Sequence, residues 1–165
     1  MDRILVSACL IGWPVRWDGS AKTAAHPLLA RWAEEGRLVP LCTETMAGLA
    51  TPRPAAEIEP HASAADVLAG RARIRDAQGG DHTAAFLEGA RIAAATARVR
   101  SIRFALTTDG SPSCGVARIA EGDFSGGKRP GEGVAVRALR DAGVEVFALD
   151  DVEALAARLD APTDR

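Results

Sequence analysis

The chain has 165 residues, of which 47% are hydrophobic, and its formal net charge at pH 7 is -2. Positive and negative residues are interspersed along the sequence. We therefore do not expect the basic surface with which proteins bind polymeric nucleic acid. No run reaches the roughly 18 apolar residues of a membrane-spanning helix, and the first apolar run is too short for a signal peptide. We therefore expect one domain, residues 1–165, in a cytoplasmic protein that does not bind membranes.

The first forty residues alternate between strand and helix patterns. A continuous apolar run at residues 4–8 predicts a strand covered on both faces, and a loop rich in Gly, Trp and Pro follows at 10–20. Helical spacing then begins at Pro27 and ends at Gly36, and residues 38–41 form a second predicted strand.

The middle of the chain is less regular. Prolines at positions 52, 54 and 60 predict an irregular segment over residues 43–60. A helical turn at 64–69 and a strand edge or hairpin at 71–76 come next. Asp81 is the predicted N-cap of a long alanine-rich helix at 82–99, and a strand follows at 102–106.

The last part of the chain begins with a flexible, glycine-rich loop at 118–130. A helix at 131–142, a strand at 144–149 and a terminal helix capped by Asp151 complete the pattern. This alternation predicts the α/β class: a three-layer Rossmann-like domain with a small, mainly parallel sheet of about four strands flanked by helices.

All three cysteines of the chain lie just beyond predicted strands. Cys9 and Cys42 follow the first two strands, and Cys114 lies in the turn-forming segment Gly110-Ser111-Pro112-Ser113-Cys114-Gly115. Ligands of open α/β sheets collect outside the carboxyl ends of the strands. One such cysteine is often a buried small hydrophobe, but three at equivalent positions favour a shared site.

Three converging thiolates suit a soft metal, either zinc or an iron-sulfur cluster. Clusters held only by protein usually have four cysteines, so with three ligands one iron stays open to bind substrate as a Lewis acid. Zinc with an open fourth position is the competing possibility. Cys9 with Arg16 also faintly resembles a cysteine-dependent phosphatase loop, but the spacing is one residue too long and Pro14 removes a backbone amide.

Several polar residues accompany the cysteines. Glu44, two residues after Cys42, is a candidate general base that activates water, and a solvated loop acid is its alternative. Ser111 and Ser113 are candidates for holding substrate or relaying a proton, against a simple role in the turn. Arg53, between two prolines, is a candidate for positioning a carbonyl or an anion.

The motifs together resemble a known family. They are Val6-Ser7-Ala8-Cys9-Leu10-Ile11-Gly12, Val15-Arg16-Trp17-Asp18-Gly19, Cys42-Thr43-Glu44, Gly48-Leu49-Ala50-Thr51-Pro52-Arg53-Pro54, Ala56-Glu57-Ile58, Ser111-Pro112-Ser113-Cys114-Gly115 and Gly122-Asp123-Phe124-Ser125-Gly126. Their order resembles that of the thiouracil desulfurase (TudS-like) family, and the resemblance extends from about residue 4 to residue 147.

The resemblance implies a [4Fe-4S] cluster held by Cys9, Cys42 and Cys114, with the fourth iron binding the sulfur of a thiolated pyrimidine. It also implies a catalytic glutamate at Glu44 and a catalytic serine at Ser111 or Ser113. The implied reaction is non-redox hydrolysis of thiouracil to uracil and sulfide. We further expect Ser7 and Arg53 to contact the substrate, and the protein to be a monomer or a homodimer.

The sequence departs from the family pattern at Thr43 for Pro, Ala47 for Gly, Ala50 for Pro and Trp17 for Tyr. None of these changes removes a cysteine, but three of them surround Glu44. The alternative to an enzyme is a non-catalytic iron-sulfur or zinc sensor that binds a small ligand.

Overall fold

A sheet of four short strands passes through the middle of the protein. The computed structural model describes residues 1–161. The strands are β1 (Ile4–Ser7), β2 (Leu38–Leu41), β3 (Ala56–Ile58), β4 (Ile74–Asp76), β5 (Phe104–Thr107), β6 (Arg118–Ala120), β7 (Lys128–Pro130) and β8 (Glu145–Ala148). The α-helices are α1 (Pro27–Glu34), α2 (Thr43–Met46), α3 (Ala64–Leu68), α4 (Thr83–Val99), α5 (Val134–Asp141) and α6 (Val152–Asp160).

The central sheet has the order β2-β1-β5-β8, and every neighbouring pair is parallel. Ile4 of β1 lies opposite Leu38 on one side and opposite Phe104 on the other. The chain thus moves from β1 outward to β2 and later returns to the far side of β1. The strand order reverses between β1 and β5, which is where such sheets bind ligands.

Helices cover both faces of this sheet. Alternate residues of β1 point to opposite faces, so Ile4 and Val6 join one core and Leu5 joins the other. The Ile4 core is closed by Trp32 of α1 and Leu155 of α6. The opposite core is closed by residues of α3, α4 and α5. The predicted three-layer α/β fold with a small parallel sheet is therefore confirmed.

Two segments are more regular than the sequence predicts. Residues 43–60 contain α2 and β3, and β3 pairs antiparallel with β4. The prolines do not prevent this, because Pro52 and Pro54 lie between the two elements and Ile58, which pairs with Ile74, is buried. The expectation of an irregular segment was wrong there.

The predicted flexible loop at 118–130 is also wrong, because β6 and β7 form an antiparallel hairpin. Ile119 is buried beneath it. A carboxylate oxygen of Glu57 accepts hydrogen bonds from the backbone N–H groups of Gly122 and Phe124, at 3.0 and 3.2 Å. This contact fixes the turn of the hairpin and joins two of the motifs noted in the sequence.

The remaining differences concern element ends. The N-cap of α4 is His82 rather than Asp81, whose carboxylate instead accepts from the backbone N–H and the hydroxyl of Thr83. Asp151 is the N-cap residue of α6 but makes no side-chain capping bond. Within residues 1–161, no helix has both the length and the apolar character needed to cross a bilayer.

Candidate metal centre

The three cysteines meet at the carboxyl edge of the central sheet. Cys9 lies in a turn of 3-10 helix (Ala8–Ile11) directly after β1, and Cys42 is the N-cap residue of α2 directly after β2. Cys114 lies in the loop after β5. Because β2, β1 and β5 are parallel neighbours, their carboxyl ends share one edge. All three are free, partly buried thiols.

The surroundings of Cys114 show how near the other groups are. Burial raises the pKa of the Cys114 thiol to about 12, a hydrogen bond with Ser7 lowers it, and the charges of Glu44, Cys9 and Cys42 raise it. Side-chain contacts also link the three cysteine loops. Thr43, the residue after Cys42, lies 2.5 Å from Ser113, the residue before Cys114, and Sγ of Cys9 lies 3.2 Å from Oγ1 of Thr108 after β5.

The other two thiols contact neutral groups. Sγ of Cys9 lies 3.2 Å from Oγ1 of Thr108, and Sγ of Cys42 donates to the carbonyl of Val15 at 3.9 Å. In residues 1–161, no three His, Cys, Asp or Glu side chains are grouped so as to hold one metal ion. A single zinc ion needs all its thiolates within about 2.3 Å, whereas in a cluster each thiolate binds a separate iron. Three thiols at the carboxyl ends of neighbouring parallel strands are a donor set that fits an iron-sulfur cluster.

Asp109 organises the loop that carries Cys114. Its Oδ1 accepts hydrogen bonds from four backbone N–H groups at 2.9 to 3.1 Å, those of Gly110, Val116, Ala117 and Arg118. Burial pushes the pKa of Asp109 up, but these donors outweigh it and hold the pKa below its usual value. The sequence analysis missed this residue, although an Asp directly before a Gly is a known turn signal.

Helix α5 holds the same loop from the other side. Its first backbone N–H groups donate into the loop, from Val134 to the carbonyl of Pro112 at 2.8 Å and from Ala135 to that of Ser113 at 3.1 Å. A Cβ at Gly133, the N-cap residue of α5, would lie 2.2 Å from the Ser113 carbonyl oxygen. Only glycine allows this approach, so Gly133 fixes where Cys114 sits.

The two loop serines have different surroundings. Ser113 is fully buried, and its Oγ lies 2.5 Å from Oγ1 of Thr43. Because Thr43 is the residue after Cys42, this contact joins two cysteine loops. Ser111 is only partly buried, and its Oγ accepts from the backbone N–H groups of Ser113 and Cys114 at 3.1 and 3.2 Å.

Glu44 and Arg53 form an ion pair. Nη2 of Arg53 lies 3.1 Å from Oε2 of Glu44 and also donates to the carbonyl of Val15 at 2.9 Å. Nη1 donates to the Ala50 carbonyl and the Thr51 hydroxyl. The side chain of Arg53 is 5% exposed and that of Glu44 is 20% exposed. Arg53 therefore orients Glu44, and only Glu44 keeps some contact with solvent.

Ser7 is the last residue of β1, and a cavity opens beside the loops of the site. Ser7 is buried, and its Oγ accepts from the backbone N–H of Thr108 at 3.2 Å. A cavity of about 360 Å³ opens on the Thr108 side, lined in part by Leu10, Lys22 and Lys128. Its lining residues include neither the three cysteines nor Glu44 and Arg53.

Comparisons with known proteins agree on one family. The family model described as 2-thiouracil desulfurase matches residues 4–151. The chain is 38% identical over 149 residues to "Uncharacterized protein YbbK" of Bacillus subtilis (strain 168), an alignment that covers 90% of this chain and 97% of that protein.

A solved structure is also similar. It is the structure of the [4Fe-4S]-dependent thiouracil desulfidase TudS (DUF523Vcz), and it matches with a TM-score of 0.88 and 40% identity, over 96% of this chain and 98% of that one. Together with the matched family model, this similarity shows that the chain belongs to the 2-thiouracil desulfurase family.

Proposed function

We propose that this protein hydrolyses the C=S group of thiolated pyrimidines such as thiouracil, and that it uses a [4Fe-4S] cluster bound by Cys9, Cys42 and Cys114. The observation that carries the proposal is the position of three free thiols at the carboxyl ends of adjacent parallel strands, with Glu44 two residues after Cys42. The similar solved structure is that of a [4Fe-4S]-dependent thiouracil desulfidase.

The three cysteines would supply the ligands of the cluster. Three ligands would leave one of the four irons without a protein ligand. When bound, such a cluster supplies a soft Lewis acid for the substrate sulfur. Gly133 and Asp109 fix the Cys114 loop. The Thr43–Ser113 contact ties that loop to Cys42. These contacts would determine where the cluster lies.

Glu44 is the proposed general base. Its carboxylate takes a proton from a water molecule as the water oxygen attacks the thiocarbonyl carbon. The C–S bond then breaks, sulfur leaves as hydrosulfide, and the carbon becomes a carbonyl. Arg53 holds Oε2 of Glu44, and Oε1 is the proposed acceptor of the proton. Atoms balance as one thiocarbonyl and one water giving one carbonyl and one hydrogen sulfide, without a redox step.

The two loop serines and Ser7 have narrower proposed roles. Ser111 is the better candidate for a catalytic serine, because its Oγ accepts two N–H bonds and its own proton remains free to donate. Ser113 is fully buried, and we propose that it positions the cysteine loops. Ser7 and Arg53, expected to contact substrate, are nearly buried. We propose that Arg53 acts mainly by holding Glu44, and contact with substrate stays a prediction for Ser7.

The test is steady sulfide release from 2-thiouracil by the anaerobically reconstituted protein, compared with the Glu44→Gln variant. We expect the variant to keep its cluster absorbance and to lose turnover by about 100-fold or more, the usual contribution of a general base. Glu34→Gln on the exposed surface of α1 is the matched control. Full turnover by Glu44→Gln would refute the role of Glu44, and ligand binding without turnover by the wild type would favour a sensor.

A further inference from the structure

The rim of the cysteine site exposes large apolar side chains. Trp13 is 49% exposed, Trp17 is 47% exposed and Met46 is 58% exposed. These three lie on the loop after Cys9 and on the helix after Cys42. In residues 1–161, the other exposed large hydrophobic residues are scattered singly, as is normal for protein surfaces: Met1, Leu68, Val99 and Phe124.

Backbone contacts hold this apolar rim against the site. Trp13 and Trp17 stand two residues before and after Val15, whose carbonyl accepts from the Cys42 thiol and from Arg53. The backbone N–H of Arg53 donates to the carbonyl of Trp17 at 2.8 Å. Both tryptophans therefore belong to the side of the site on which Glu44 and Arg53 lie. Met46 is the last residue of α2, the short helix whose N-cap residue is Cys42.

The loop that bears the tryptophans is well fixed. The backbone N–H of Trp13 donates to the Ala8 carbonyl, and that of Lys22 donates to the Cys9 carbonyl. Asp18 accepts from both the backbone N–H and the hydroxyl of Ser20. Aromatic side chains on a fixed loop lose little conformational entropy when a ligand binds, so they give contact area efficiently.

The buried polar side chains of the site are mostly engaged within the protein. Ser7 accepts from the backbone N–H of Thr108, and Arg53 donates through Nη2 to Glu44 and to a backbone carbonyl, whereas its buried Nε has no partner. A planar heteroaromatic ring needs a surface to stack on, because stacking recognises its π-face rather than its polar edge.

We propose that Trp13 and Trp17 form the surface on which the thiolated base stacks, on the Glu44 side of the cysteines, with Met46 beside them. This inference rests on the proposed function and adds the residues that select a flat aromatic substrate. It accounts for two half-exposed tryptophans at the rim of a small domain, where apolar surface is otherwise kept out of water.

The experiment measures KM and kcat for 2-thiouracil with the anaerobic, cluster-loaded protein, normalised to iron, and binding of 2-thiouracil by equilibrium dialysis. The variants are Trp13→Leu and Trp17→Leu, with Trp17→Phe as the rescue and Phe124→Leu as the matched exposed aromatic. Each leucine variant is expected to raise KM and weaken binding about tenfold, with kcat within about twofold, since stacking binds substrate and transition state alike. Trp17→Phe should restore most of the binding, and Phe124→Leu should match the wild type.

Two results overturn the inference: leucine variants that bind as the wild type does, or a Phe124→Leu variant that weakens binding equally. Dialysis separates this inference from the proposed function. If the wild type retains 2-thiouracil without releasing sulfide and the leucine variants lose it, the stacking surface stands and the proposed function fails. A wild-type protein that neither retains 2-thiouracil nor releases sulfide would contradict both the inference and the proposed function.

Discussion

Nη2 of Arg53 lies 3.1 Å from Oε2 of Glu44 and 2.9 Å from the carbonyl oxygen of Val15. The guanidinium thereby connects a candidate base to the backbone that also receives the Cys42 thiol. A planar guanidinium reaches several acceptors at fixed angles, which a lysine ammonium cannot reproduce. The aim of Glu44 therefore depends on Arg53.

Replacing Arg53 by Met should lower kcat for thiouracil about tenfold or more with little change in iron content, because Glu44 stays in place but loses its orientation. Arg53→Lys should recover only part of the rate, since it keeps the charge without the planar donor geometry. The measurement is sulfide release per iron. Wild-type kcat in Arg53→Met would show that Glu44 needs no such partner.

The buried contact between Thr43 and Ser113 predicts a coupling between two cysteine loops. Thr43→Val or Ser113→Ala should each destabilise the protein by about 1–3 kcal/mol, because each leaves one buried hydroxyl without a partner. The double variant should cost less than the sum. Anaerobic urea denaturation of the cluster-loaded proteins gives these values.

The same variants distinguish positioning from catalysis at Ser113. A positioning serine loses stability and cluster content, while turnover per cluster remains near the wild-type value. If Ser113→Ala kept its stability and cluster yet lost turnover, Ser113 would be a catalytic residue instead.

Gly133 offers a test of how tightly α5 holds the Cys114 loop. Gly133→Ala places a Cβ 2.2 Å from the Ser113 carbonyl oxygen, so the loop must shift. We expect a loss of about 1–3 kcal/mol in stability, as for other overpacked sites, together with lower iron content. Gly127→Ala in the β6–β7 hairpin is the control, because there the new Cβ mainly meets the flexible side chain of Glu121. Equal iron content in the two variants would contradict the constraint.

Asp66 in the first turn of α3 gives a pH prediction away from the cysteines. The backbone N–H and hydroxyl of Ser63, and then Arg71, lower the pKa of Asp66 to about 2 from 3.8. Since the folded pKa is depressed, the stabilisation is present above pH 4 and is lost as the pH falls towards 2. The Tm difference between wild type and Asp66→Asn should thus be constant from pH 8 to about pH 5 and narrow below that. A difference that widens on acidification would contradict it.

The central sheet could be predicted because its strands are continuous apolar runs separated by helical patterns. Of the two antiparallel pairs, only β4 was predicted, within the strand edge or hairpin at 71–76. Its partner β3 and the β6–β7 hairpin could not be predicted, because β3 and β6 are three residues long and each contributes one fully buried side chain, Ile58 or Ile119. Such short strands carry no periodicity, and the contacts that stabilise them, such as Glu57 to Gly122, join residues far apart in the chain.

The positions of the cysteines could be predicted because parallel strands end at one edge. The partners of the site residues could not. Arg53 was a candidate for substrate contact, but in the fold it turns back onto Glu44 across the intervening loop. The exposure of Trp13 and Trp17 could not be predicted either, because a tryptophan in a sequence is equally consistent with the surface and with the core, where Trp32 lies.

The most direct test of a cluster bound by the three cysteines is iron and acid-labile sulfide analysis of anaerobically purified protein, for the wild type and for Cys9→Ala, Cys42→Ala and Cys114→Ala. We expect about four irons and four sulfides per wild-type chain and their loss in every alanine variant. A wild-type protein that holds only zinc, or an alanine variant that keeps the full cluster, would contradict it.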